Sequence, residues 1–206
     1  MVGGMDLTVR ERILEATYAC VARYGLAKTT VEDTAREARL SRATVYRYFP
    51  GGKDQLVSEA IDAASNRIVG LIDGYLQATP NATPGQLFVA MSAWWREQFR
   101  ANDFAEGCPF AATTADSAAG NPTLREAART AFAAWQTVVE TGIRRAGVPD
   151  ERVTGLALVM MSAIEGALIL SRANHDPAPL DAIIAELPPV FDAAVPTRRR
   201  KSVRRG

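Results

Sequence analysis

"ARLSRATVYRYFPGGK", residues 38–53, holds Arg39, Arg42, Arg47 and Lys53 without one acid, and sets Tyr46 and Tyr48 among them. Ser41 is a good N-cap, and Pro50, Gly51 and Gly52 stop a helix. The spacing therefore predicts a short helix ending at Tyr48 or Phe49. At about 100° per residue, Val45, Tyr48 and Phe49 share one arc and are expected to face a core with Leu40. Ala43, Thr44, Tyr46 and Arg47 share the opposite arc, with Arg42 at its edge. Such a face suits a duplex groove. A small side chain lets the helix sit deep, Arg reads guanine edges, and Thr, Tyr and Arg bind phosphate oxygens. An ordinary solvated face would carry the same charges, so phasing alone leaves both readings open.

The flanks supply a frame. Residues 8–24 place Ile13, Leu14, Thr17, Val21 and Tyr24 at helical spacings, and Gly25 ends that helix. In "KTTVEDTAREARL", Thr29 and Glu32 fit a capping box for a second short helix ending near Ala38. A tight turn at Arg39–Leu40 then leads to Ser41. Short helix, tight turn and short helix make a helix-turn-helix. Lys53 opens a fourth helix, whose free amides favour phosphate.

Charge divides the chain at the same point. Residues 1–53 carry net +3, residues 54–196 net −8, and the last ten, "TRRRKSVRRG", net +6. A basic front end on an acidic body suggests a polyanion at one end. Strand signals are nearly absent, so an all-α fold is expected. Long helices follow at 53–77, from Thr83–Pro84 to Phe99 or Arg100, from Asn121–Pro122 to Ala146, over 150–173, and near 178–193 with a break at Pro188–Pro189. The run "VTGLALVMMSAIEGALIL" is apolar all round and is expected to be buried.

"TTVEDTAREARLSRATVYRYFPGGKDQL", residues 29–56, resembles the helix-turn-helix signature of the TetR family of transcriptional regulators. The resemblance departs from the family at Arg39 and Ala43, where glycine is usual. Arg39 must take a turn conformation easier for glycine, which places it in the turn rather than on the reading surface. The resemblance implies that Arg42, Ala43 and Tyr46 meet bases, while Thr30, Thr44, Arg47, Tyr48 and Lys53 meet phosphates; the capping Ser41 joins this DNA-binding set. It further implies an N-terminal three-helix DNA-binding domain (1–52), a larger helical ligand-binding and dimerisation domain (53–196), and a basic tail (197–206) that is expected to be disordered. The implied function is a homodimeric repressor on a palindromic double-stranded DNA operator, released by an apolar small-molecule inducer, with no enzymatic activity and no cofactor. Residues 150–173 and 178–193 are the expected four-helix interface between two copies. "EGCPFAATTAD", residues 106–116, and "YFPGGKDQL", residues 48–56, resemble a TetR subgroup of lincomycin and multidrug efflux repressors, which implies a pocket near residues 104–113.

Trp94, Trp95 and Trp135 all lie in the body, with Met91, Phe99, Phe104, Phe110, Met160 and Met161. Flat aromatics and adaptable Met wall an apolar pocket well, and they equally fill ordinary cores. Adjacent Trp94 and Trp95 are expected to face different environments. Glu165 inside an apolar run needs a partner: an arginine across the dimer, or a ligand. Cys108, before Pro109, reads as a redox switch or as an inert thiol. The ligand-binding set is thus Met91, Trp94, Trp95, Phe99, Phe104, Cys108, Phe110, Trp135, Met161 and Glu165. The lone His175 is no metal site and suits a helix end. Two cysteines make no disulfide framework, no window approaches ~18 uninterrupted apolar residues, and the chain reads as cytoplasmic. Two rivals remain: an architectural DNA binder without inducer, and a helical enzyme acting on a phosphorylated substrate.

Overall fold

The computed structural model describes residues 7–117 and 120–196, and within them the protein forms ten α-helices and no strand. These are α1 (Val9–Tyr24), α2 (Val31–Glu37), α3 (Arg42–Tyr48), α4 (Gly52–Ala78), α5 (Pro84–Asn102), α6 (Pro109–Ser117), α7 (Pro122–Arg145), α8 (Asp150–Asn174), α9 (Ala178–Glu186) and α10 (Pro188–Asp192). The all-helical expectation holds. Local chemistry sets the boundaries. Thr83 and Gln86 close the expected capping box of α5, and Asn121 caps α7 ahead of Pro122. The pair Pro188–Pro189 splits the last helical segment in two, as expected. The basic tail, 197–206, lies outside the described residues.

The capping box of α2 sits one residue later than the sequence suggested. Thr30, not Thr29, is the N-cap, and its partner is Asp33, not Glu32. The buried Thr29 is occupied elsewhere: its hydroxyl donates to the Gly25 carbonyl at 2.8 Å. Glu32 is thereby left free to point outward.

Two cores form. A small one joins Ile13 and Leu14 of α1, Val31 and Ala35 of α2, Val45 of α3, and Phe49 at the C-cap of α3. Leu56 and Ala60 complete it from α4, so that helix is part of both units. The larger core is built from α4, α5, α7 and α8 around Phe88, Phe99, Trp135 and Ile164. α4 packs along α1 at one end and along α7 at the other.

α8 is not buried all round. Its inner face, with Val153, Met160 and Ile164, is buried. Leu158, Val159, Ile169 and Leu170 are 47%, 55%, 63% and 56% exposed. α8 is long and apolar enough to cross a membrane by length and composition, yet its inner face packs on α7 and α9.

Candidate nucleic-acid interface and body cavity

The tight turn before α3 depends on a left-handed residue. Arg39 has φ 55°, and the Leu40 amide reaches back to the Ala35 carbonyl at 2.9 Å. A side chain in that region costs on the order of 1 kcal/mol relative to glycine. Arg12 braces the turn from α1 by donating to the Ala38 carbonyl at 2.8 Å. Arg39 therefore shapes the corner.

α3 starts where Ser41 accepts the Thr44 amide at 3.0 Å. Val45 and Phe49 are buried as anchors, with Leu40 packed beside them. Tyr48 departs from its expected place: it is 37% exposed rather than in the core. The small core seats Val45 and Phe49, which leaves Tyr48 at the edge of the arc. The outward face then carries Arg42, Ala43, Tyr46, Arg47 and Tyr48, with Thr44 half-buried. Arg42 lies over the Tyr46 ring at 5.3 Å, and Arg47 over Tyr48 at 5.4 Å. Such stacking pre-orients guanidiniums that point at solvent. Thr30 and Ser41 are exposed, but their hydroxyls serve as caps. Lys53 is half-buried, and its ammonium donates to the Leu26 carbonyl at 2.7 Å. It fastens the start of α4 to the loop after α1 and keeps two further N–H donors.

The body holds a cavity of about 180 Å³ between α4, α5 and α7. Met91, Trp94, Trp95 and Trp135 line it, with Leu71 and Tyr75 from α4. Trp94 and Trp95 do not part company: their rings meet edge-to-face at 4.8 Å and both line this space, Trp95 buried and Trp94 half-buried. Phe99, Phe104, Cys108, Phe110, Met161 and Glu165 lie off its lining. Phe99 and Phe110 are fully buried core, and Phe104 packs on Phe99 and His175. The cavity is therefore displaced from the expected 104–113 segment. Sequence reasoning missed the α4 wall, whose alternating Ile68, Leu71, Ile72 and Tyr75 read as ordinary helix.

Two family matches lie along the chain. Residues 13–60 match the family described as bacterial regulatory proteins, tetR family. Residues 84–186 match the C-terminal domain of the LmrA/YxaF-like transcriptional regulators. An HTH-type transcriptional regulator of Mycobacterium tuberculosis is 30% identical over 93% of this chain and 98% of its own length.

The chain belongs to the TetR family.

The HTH-type transcriptional regulator LmrA of Bacillus subtilis is 28% identical over 87% of this chain and 94% of its own. A TetR transcriptional regulator of Legionella pneumophila shares the fold at TM-score 0.81, with 17% identity, covering 91% of this chain and all of that one. A regulatory protein of Rhodobacter sphaeroides does so at 0.79, with 19% identity over 89% of this chain and 98% of that one. This TetR-family protein is thus a DNA-binding transcriptional regulator, and its relatives are regulators rather than enzymes.

A second connection in this regulator joins the DNA-binding helices to the body. Arg172 of α8 donates to the carbonyls of Ala22 and Arg23 at the end of α1, at 3.2 and 2.6 Å, and to Ala105 at 3.0 Å. Arg23 answers with an ion pair to Glu106 at 2.6 Å. The Gly107 amide donates to the Ala22 carbonyl, and a Cβ on Gly107 would meet the Arg172 guanidinium at 3.1 Å. His175 ends α8 with φ 54° and faces Asp103 at 3.3 Å. The 103–108 loop is a clasp between α1 and α8.

Behind that clasp lies Glu165. Both carboxylate oxygens are buried, and neither has a hydrogen-bond partner among the described residues. Burial pushes its carboxyl from 4.5 up to about 7, with the nearby Cys108 thiol pulling the other way. Burial first, and Glu165 second, hold the Cys108 thiol well above its usual range. A thiol so held carries little thiolate, which opposes a redox-switch role. Glu165 takes up its proton at higher pH folded than unfolded. Its contribution therefore destabilises the fold as pH rises from about 4.5 to about 7 and is level above that. Glu165→Gln is expected to be more stable than the native chain at pH 8, by on the order of 3 kcal/mol, and to match it near pH 4.5. Urea midpoints at the two pH values measure this; equal gaps at both would refute the buried charge.

Proposed function

We propose that this regulator is a homodimeric, ligand-responsive repressor of a palindromic operator, released by an apolar small molecule. The observation that carries it is the outward face of α3: Arg42, Ala43, Tyr46 and Arg47 project while Val45 and Phe49 anchor. Arg42 and Tyr46 meet base edges, and Ala43 permits the close approach. Thr30, Ser41, Thr44, Arg47, Tyr48 and Lys53 lie toward the phosphates.

Dimerisation is supported by the exposed face of α8. Gly155, Ser162, Gly166 and Ala173 fall along its centre line, flanked by Leu158, Val159, Ile169 and Leu170, on an arc of about 120°. Small residues let two helices approach, and the flanking side chains then bury apolar area. A second copy would set the recognition helices in successive major grooves, roughly 34–36 Å apart. Inducer release is supported by the tryptophan-lined cavity, which favours a ligand-responsive protein over an architectural binder. α4 lines that cavity and also feeds Leu56 and Ala60 into the small core, so a ligand that moves α4 shifts the DNA-binding unit. The ligand acts only through its differential affinity for the two states. The protein works in the cytoplasm, with access to the chromosome.

The test is DNA retardation, with a duplex selected from a random pool, before and after a panel of neutral apolar compounds. Compounds that quench tryptophan fluorescence are expected to release the duplex. Quenching without release defeats the inducer reading, and failure to retard any duplex defeats the operator reading.

A further inference from the structure

Glu32 stands on the face that this reading gives to DNA, where a carboxylate repels phosphate. Its Oε1 lies 2.6 Å from Nη1 of Arg42, across the gap between α2 and α3. The Tyr46 ring lies 5.3 Å from the same guanidinium. The side chains of Arg42 and Glu32 are 61% and 48% exposed. An exposed pair of this kind contributes roughly 0.2–1 kcal/mol, so stability of the fold does not explain it. Nor does capping, since Asp33 closes that box. Arg47, further along α3, lies over Tyr48, and no acid among the described residues pairs with it.

We infer that Glu32 is a specificity-determining residue: it positions the Arg42 guanidinium for base contact and withholds it from the phosphates of random DNA. The inference rests on the proposal that α3 reads a groove. A free arginine on a recognition helix swings to any phosphate within reach. One clamped by a carboxylate at one edge and an aromatic ring nearby presents its remaining N–H groups in a fixed direction. Bidentate recognition of a base needs that direction, whereas a phosphate accepts from many. At the operator the Arg42 fork is already aimed, so less side-chain freedom is lost on binding. On random DNA the guanidinium must leave Glu32 to reach a phosphate, and the exposed carboxylate then faces the phosphates unpaired. Discrimination is thus raised from both sides.

The experiment uses the full chain as native, Glu32→Gln and Arg42→Ala, with two labelled duplexes of equal length over a salt series. One duplex is selected from a random pool by the native protein, and the other is its scrambled sequence. Glu32→Gln is expected to bind the scrambled duplex severalfold more tightly, with a steeper salt dependence, because Arg42 becomes a phosphate contact. The selected-to-scrambled affinity ratio falls about tenfold while the melting temperature stays put. An unchanged ratio in Glu32→Gln, with a lowered ratio in Arg42→Ala, overturns the inference alone. An unchanged ratio in both variants overturns the groove-reading role of α3 as well.

Discussion

Arg42→Ala is expected to lower operator affinity about a hundredfold while random duplex binding changes less than about threefold. A good bidentate contact between arginine and a guanine edge discriminates by about 1–3 kcal/mol, and a loss of about 1.4 kcal/mol, within that range, is tenfold. A palindrome read by two copies makes the contact twice, and the two losses multiply. Random duplex is little affected because Arg42 is held by Glu32 at 2.6 Å in the free protein. Arg47→Ala is the internal contrast. Arg47 has no carboxylate beside it among the described residues, and the proposed docking gives it a phosphate, so its loss is expected to weaken selected and random sequences alike. Lys53→Ala is a poorer contrast, since the ammonium also holds the Leu26 carbonyl and fixes the start of α4. Fluorescence anisotropy at matched salt measures all three. If Arg42→Ala binds both duplexes equally weakly, Arg42 is a phosphate contact and base reading lies elsewhere on α3.

What the sequence revealed about this surface was local, and what it concealed was tertiary. Caps, breaks and the phase of Val45 and Phe49 follow from residues within a few positions of one another. The α2 cap failed because Thr29–Glu32 and Thr30–Asp33 satisfy the same spacing rule. The choice was made by the Gly25 carbonyl, which claims the Thr29 hydroxyl. That one-residue error concealed Glu32, which a capping role would have turned away from Arg42. Tyr48 failed for a related reason, because helical phase alone does not say how many seats a small core offers. In the body, the tryptophans were legible as aromatics, and their cavity was not. Its α4 wall meets α5 and α7 only through packing between distant segments. The Arg172 clasp joins α8 to residues about 150 positions earlier, a separation that no spacing rule spans.

Val159→Asp combined with Ile169→Asp is expected to give a folded monomer that has lost operator binding by at least a hundredfold. Both side chains are more than half exposed in the single chain, so neither substitution opens a cavity or strands a buried charge within it. Helix content and the cavity are therefore expected to survive. In a dimer the same positions flank the centre line of small residues on α8. Two aspartates per copy would then place four carboxylates in an apolar seam, and burying unpaired charge costs several kcal/mol each. The seam opens, and the two recognition helices lose their tether. A linked second site ordinarily multiplies affinity by about 10²–10⁴ without any new contact, and this factor is what the monomer forfeits. Sedimentation of the native and doubly substituted chains gives the mass, and anisotropy gives the operator affinity. The opposite result, a native chain that is monomeric yet binds the full palindrome tightly, would move the interface away from α8. The variant also separates the two roles of the DNA face. Arg42 still reads its half-site in the monomer, so the monomer keeps its preference for a selected half-site over a scrambled one even as its affinity collapses.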